Sequence, residues 1–102
     1  MTQAQFIDAG GRRLRHVIVG EAGAAVVLVH GFAGSLESWE ANQSALAKQG
    51  YTVAALDLPG HGESSLDVGS GSLDELAASV LAYMDAVGIQ RAHLVGHSMG
   101  AA

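Results

Sequence analysis

The chain has no cysteine, a single proline and few aromatic residues, and only 15% of its residues are charged. Without cysteine, no disulfide can staple the fold or report its redox compartment. Basic residues are scarce: five against ten acidic ones give a net charge of −5, which argues against a phosphate-binding surface for nucleic acid. Three of the five, Arg12, Arg13 and Arg15, share one early segment and read as the solvated face of an edge strand guarded against edge pairing. Long apolar runs are also missing. The longest, Ala24 to Val29, falls far short of the roughly 20 residues that a membrane helix needs. The first twenty residues hold Asp8, Arg12, Arg13 and Arg15 and no long apolar stretch, so no signal peptide is read and a soluble cytoplasmic protein is expected. No internal repeat, linker or low-complexity segment is present.

What is there is a chain of 102 residues, 49% of them hydrophobic, the composition of an α/β domain whose sheet is covered on both faces. Gln5 to Ala9 and Arg12 to Val19 read as two short strands joined by Gly10-Gly11, a pair able to supply the positive φ angles of a primed hairpin turn. His16 falls inside the second strand as a half-buried residue. A loop over Gly20 to Gly23 leads to the valine-rich run Ala24 to Val29, a strand covered on both sides, which ends at His30-Gly31-Phe32-Ala33-Gly34. Ser35 to Gln49 reads as a helix, with Ser35 or Ser38 as N-cap, Leu36, Trp39 and Leu46 as core anchors, and Gly50 as its stop.

Tyr51 to Leu58 is the next strand, and Pro59, Gly60 and Gly62 make a sharp loop of the residues up to Ser64. After a polar connector, Ser72-Leu73-Asp74-Glu75 reads as a capping box, with Glu75 reaching back to the free amides. Leu73, Leu76, Ala77, Val80, Leu81, Met84 and Val87 then recur at helical spacing as the face that packs on the sheet, until Gly88. Ala92 to Val95 is the last strand. Strands separated by helices need crossovers, so the later strands are parallel and three glycine-rich loops gather at one sheet edge.

The last of these loops, Gly96-His97-Ser98-Met99-Gly100, has the spacing of a nucleophile elbow. A strand entering a helix through one tight turn forces the serine into left-handed backbone, at a cost of about 1 to 3 kcal/mol. Gly96 and Gly100 remove the side chains that would collide there. Ser98 is thereby held out at the C-terminal edge of the sheet, beside helix N-terminal amides that can stabilise an oxyanion, Met99 N–H foremost. A glycine-bounded structural turn is the plainer alternative.

Taken together, His30-Gly31-Phe32, Asp57-Leu58-Pro59-Gly60-His61-Gly62-Glu63-Ser64 and Gly96-His97-Ser98-Met99-Gly100 resemble, in this order, the α/β-hydrolase fold superfamily, and the resemblance covers the whole chain. It implies an N-terminal part of that fold, an antiparallel edge hairpin followed by parallel strands with crossover helices. It implies further that Ser98 is the nucleophile, that the N–H groups of Phe32 and Met99 form the oxyanion hole, and that His30, Gly31, Gly96, His97 and Gly100 support the two loops. Asp57 and His61 are structural by the same resemblance. More closely, Asp67 to Leu76 and Ala92 to Gly100 look like the hydrolase-like part of acetoin dehydrogenase E2 acyltransferase chains. Those chains also carry a lipoyl domain, whereas the only lysine here, Lys48, lies in an expected helix. Ala101 stands where many relatives have glycine.

The chemistry implied is acyl transfer through Ser98 to a small-molecule ester, thioester or related carbonyl substrate, with no cofactor. Serine at the elbow disfavours epoxide hydrolase and dehalogenase chemistry, which in this superfamily uses aspartate there. The acid and histidine follow the serine in this superfamily, so residues 1–102 are expected to be the N-terminal portion of one incomplete domain, inactive alone. A metal site is disfavoured because His93 and His97 straddle a strand and a turn and so share no helical face. No G-x-x-x-x-G-K-[ST] phosphate loop occurs. Two alternatives to a hydrolase stand: an E2-like acyltransferase component of an acetoin dehydrogenase-type complex, and a binding module that keeps the fold without catalysis. Substrate identity, lid and oligomeric state are not legible.

Overall fold

The computed structural model describes residues 4–20 and 22–102, so Glu21 of the Gly20 to Gly23 loop lies outside the described residues. Five strands form one mixed sheet: β1 (Gln5–Ala9), β2 (Arg12–Val19), β3 (Ala25–Val29), β4 (Thr52–Leu56) and β5 (His93–Gly96), in the spatial order β1-β2-β4-β3-β5. The hairpin forms as its glycines require. Gly10 and Gly11 take φ angles of 58° and 83°, and Ala9 pairs with Arg12 across the turn. β2 then pairs antiparallel with β4, while β4, β3 and β5 run parallel.

The unbroken apolar run of β3 serves two cores at once, because successive side chains of a strand point to opposite faces. Val27 and Val29 join Leu14, Ala54, Leu56 and Tyr83 on one face, and Val26 and Leu28 join Leu36, Val53 and Ala55 on the other. Helix α2 (Leu73–Val87) covers the first face, through Tyr83, Leu76, Val80 and Met84. Helix α1 (Glu40–Lys48) covers the second, where buried Gln43 donates both amide hydrogens, to Val17 O at 2.8 Å and Val53 O at 2.9 Å.

Several expectations need correction. The helix expected over Ser35 to Gln49 is broken into a 3-10 turn, Leu36–Trp39, followed by α1, with Trp39 at the junction outside α-helical geometry at φ −102°, ψ 3°. The Leu36 amide that begins the turn is taken by Asp57, while the Ser35 hydroxyl donates to Glu37. Ser72 caps α2, accepting from Glu75 N–H at 3.1 Å, but the Glu75 carboxylate turns away to Arg12 at 3.4 Å instead of back to the cap. The apolar stripe of α2 is only part buried. The helix lies nearest β1, so Leu73 and Leu81 remain 53% and 62% exposed.

The arginine cluster is the largest correction, since β2 lies inside the sheet and is no edge strand. Alternation sends the Arg12 side chain to α2, where it meets Glu75, Ser79 and Asp67. Arg13 lies over the Phe6 ring, 4.0 Å from its centroid. Arg15 is buried among three carboxylates.

Candidate active site

β5 ends at Gly96, and two residues later Ser98 has φ 57°. That conformation is rare for any residue with a side chain; it costs about 1 to 3 kcal/mol and persists only where the surroundings enforce it. Here they do. A Cβ on Gly96 would collide with Gly100 O, and one on Gly100 with Val29 O, so only glycine lets the strand, the turn and the end of β3 approach so closely. His97 N–H donates to Val29 O at 3.1 Å, and Gly100 N–H to His97 O at 3.0 Å. The residues after the elbow, Ser98–Ala101, form a 3-10 turn.

Facing the elbow is the loop that leaves β3. Gly34 N–H donates to Gly31 O at 3.0 Å, closing a turn in which Ala33 takes φ 61°, left-handed without being glycine. Gly31 lies against the serine: a Cβ there would be 3.1 Å from Ser98 Cβ and from His97 O. The two loops wall an open cleft of about 390 Å³, lined by His30, Gly31, Phe32, Trp39, His97 and Ser98 among others. Phe32 is 79% exposed at its mouth, edge-on to the His61 ring at 5.9 Å.

The structure thus brings His30, Gly31, Phe32, His97 and Ser98 to one cleft. Gly96, Met99 and Gly100 line a separate apolar groove, of about 520 Å³, between the elbow and α2, and the Met99 side chain packs on the first core. Trp39, expected in the core, does both: it packs on the second cluster and also forms a wall of the cleft. The break between the 3-10 turn and α1 falls at this residue.

His30 has no free ring nitrogen. Leu58 N–H donates to Nε2 at 3.0 Å, which leaves the proton on Nδ1 to be donated to Gly31 O at 2.8 Å. Burial, the main cause, holds its pKa below the ordinary histidine value. His16 is engaged with Tyr83 Oη at 2.8 Å, its pKa likewise lowered by burial, and His61 Nδ1 bonds Pro59 O at 3.0 Å.

Sequence reasoning missed Arg15 and its hub. Asp57, fully buried just past β4, accepts from Arg15 Nε at 2.7 Å, from Leu36 N–H at 2.7 Å and from Glu63 N–H at 2.9 Å. Burial by itself would lower the Arg15 pKa, but hydrogen bonds to Asp57 and Glu37 outweigh it and the pKa is raised. The Ser35 hydroxyl, and then Arg15, hold the Glu37 carboxyl below its usual range. Arg15 and Asp57 are 42 positions apart, beyond any local pattern.

Among the described residues no cluster of three His, Asp or Glu side chains could hold a metal ion, and no helix is long and apolar enough to cross a membrane.

The sequence model of the alpha/beta hydrolase fold family matches residues 24–102. Among curated proteins, the dihydrolipoyllysine-residue acetyltransferase component of the acetoin cleaving system of Pseudomonas putida is 52% identical over 96% of this chain and 26% of its own. A 2-hydroxy-6-oxononadienedioate/2-hydroxy-6-oxononatrienedioate hydrolase of Burkholderia vietnamiensis is 42% identical over 91% of this chain and 34% of its own. The crystal structure of epoxide hydrolase A from Mycobacterium thermoresistibile superposes with a TM-score of 0.89 at 35% identity, over 99% of this chain and 33% of that one. The chain therefore spans about a quarter to a third of the length of these relatives. A left-handed serine at the end of a parallel strand, the mixed sheet that presents it and the match over residues 24–102 agree: this chain belongs to the alpha/beta hydrolase fold family.

Proposed function

We propose that this chain is the leading portion of a serine-dependent hydrolase domain that acts by acyl-enzyme chemistry on a small ester, thioester or related carbonyl compound in the cytoplasm. The observation that carries the reading is Ser98 at φ 57°, set across a cleft from the loop of Gly31 and Phe32. Ser98 Oγ attacks the carbonyl carbon, a histidine takes its proton, and the negative oxygen is held by the N–H groups of Phe32 and Met99. The histidine then returns the proton to the leaving group, and water releases the acyl group from Ser98.

The histidine and its acid partner come from outside these 102 residues. Supporting this, His16, His30 and His61 spend ring nitrogens on Tyr83, on Gly31 and Leu58, and on Pro59, and the relatives run three to four times as long as the part matched. The epoxide hydrolases among the relatives support the fold, while the serine at the elbow favours carbonyl over epoxide chemistry. Fluorophosphonate labelling of the full-length protein tests the reading: labelling at Ser98, lost in Ser98→Ala, is the expected result, and an unmodified Ser98 would refute it.

A second reading is an E2-like acyltransferase component, favoured by the 52% and 47% identity to two acetoin cleaving system components. Transfer of an acetyl group to dihydrolipoamide in place of water would select it over a hydrolase.

A further inference from the structure

Arg15 enters from the middle of β2 and spends its guanidinium on the 3-10 turn Leu36–Trp39, through Glu37, and on the loop after β4, through Asp57 and Glu63. Nε donates to Asp57 Oδ2 at 2.7 Å, Nη2 to Glu37 Oε1 at 2.6 Å, and Nη1 to Glu63 Oε2. Asp57 passes the constraint on, because its Oδ1 accepts from Leu36 N–H at 2.7 Å. Leu36 follows closely on the Gly31 to Gly34 turn, and Gly31 lies against Ser98. Ser64 adds a parallel tie, accepting from Arg15 N–H at 2.8 Å and donating to Asp57 O at 2.7 Å.

A buried ion pair contributes little net stability, because removing both charges from water costs about what their attraction returns. What a guanidinium adds is direction: its planar fork holds several acceptors at fixed angles. A lysine ammonium could meet Asp57, but it lacks the fork that also reaches Glu37 and Glu63.

We propose that Arg15 is a positioning residue for the Ser98 site, setting through Asp57 the placement of the loop that carries the Phe32 N–H. This rests on the reading of Ser98 as nucleophile. Donors aimed at an oxyanion act in the transition state, so misplacing one loses kcat and leaves KM nearly unchanged.

The test compares wild type, Arg15→Lys and Arg15→Met in the full-length protein, with p-nitrophenyl acetate as substrate and Ser98 titrated by a fluorophosphonate. Per titrated site, kcat is expected to fall about threefold in Arg15→Lys and about tenfold or more in Arg15→Met, with KM within about twofold. A purely structural role would reduce the number of titratable sites and leave kcat per site at the wild-type value; that result overturns the proposal. Should Arg15→Met not fold, Arg15→Lys decides by the same criterion. If wild-type Ser98 does not label, the nucleophile reading fails, and amide hydrogen exchange then decides the Arg15 link. Faster exchange at Gly31 to Leu36 in Arg15→Lys, with α2 unchanged, supports it, and unchanged exchange there refutes it.

Discussion

Gly31 and Ser98 touch across the cleft so closely that a Cβ on the glycine would sit 3.1 Å from the serine Cβ. The same methyl would be 3.2 Å from His97 Nδ1. Two loops from non-adjacent parts of the chain meet here with no room for one more carbon.

Gly31→Ala therefore displaces the elbow or the facing loop by a few tenths of an ångström without demanding a left-handed backbone. Reaction at an oriented nucleophile falls steeply with small misplacements, by as much as about a hundredfold per ångström. Fluorophosphonate labelling of Ser98 in this variant is expected to slow about tenfold, with the thermal midpoint close to wild type. Wild-type labelling kinetics would show that the contact relaxes at no functional cost.

Gly100→Ala is expected to be far more damaging to the fold. Its Cβ would run into Val29 O and lie 2.6 Å from His30 O, both backbone atoms with no rotamer to escape into. Gly88→Ala is the matched control: φ is 78° at the end of α2, yet nothing lies near the added carbon. Denaturant unfolding should show a loss of about 1 kcal/mol for Gly88→Ala, from backbone strain alone. For Gly100→Ala it should show several times that, or no folded protein.

Tyr83→Phe removes the hydroxyl that meets His16 at 2.8 Å in a fully buried position. The ring nitrogen left without a partner costs about 1 to 3 kcal/mol. Pairing the change with His16→Phe, which removes both polar groups, should recover part of that loss in a double-mutant cycle. Strict additivity of the two changes would mean that the hydrogen bond carries no coupling.

Mild acid should weaken the fold through its buried histidines. Burial lowers the pKa of His16 and of His30 below the ordinary histidine value of about 6.5, so on acidification the unfolded chain binds protons that the folded chain refuses. Stability is then unaffected by these groups above about pH 6.5 and declines as the pH falls below it, by at most about 1.4 kcal/mol per pH unit for each histidine. Urea midpoints measured from pH 7.5 to 5 should show the decline, and His16→Gln should reduce its slope. A midpoint independent of pH over this range would contradict the buried-neutral assignment.

Much of the architecture was legible in the order of residues, because it rests on local physics. Gly10-Gly11 specifies its turn, the valine run of β3 serves two faces, Ser72 and Gly88 bound a helix, and glycines at two-residue remove on either side of Ser98 permit a left-handed serine. Each of these depends only on near neighbours along the chain. What tertiary structure alone decided depends on partners far apart in sequence. Nothing near Arg15 marks Asp57, Glu37 and Glu63 as its acceptors, so a buried hub passes for a solvated strand face until β2 is seen to lie between β1 and β4. Likewise Trp39 is apolar enough for any core, and only the fold shows that it also walls the cleft beside Ser98. Backbone conformation at a turn is set by the residues within it, whereas the neutralisation of a buried charge is set by whatever the fold brings alongside.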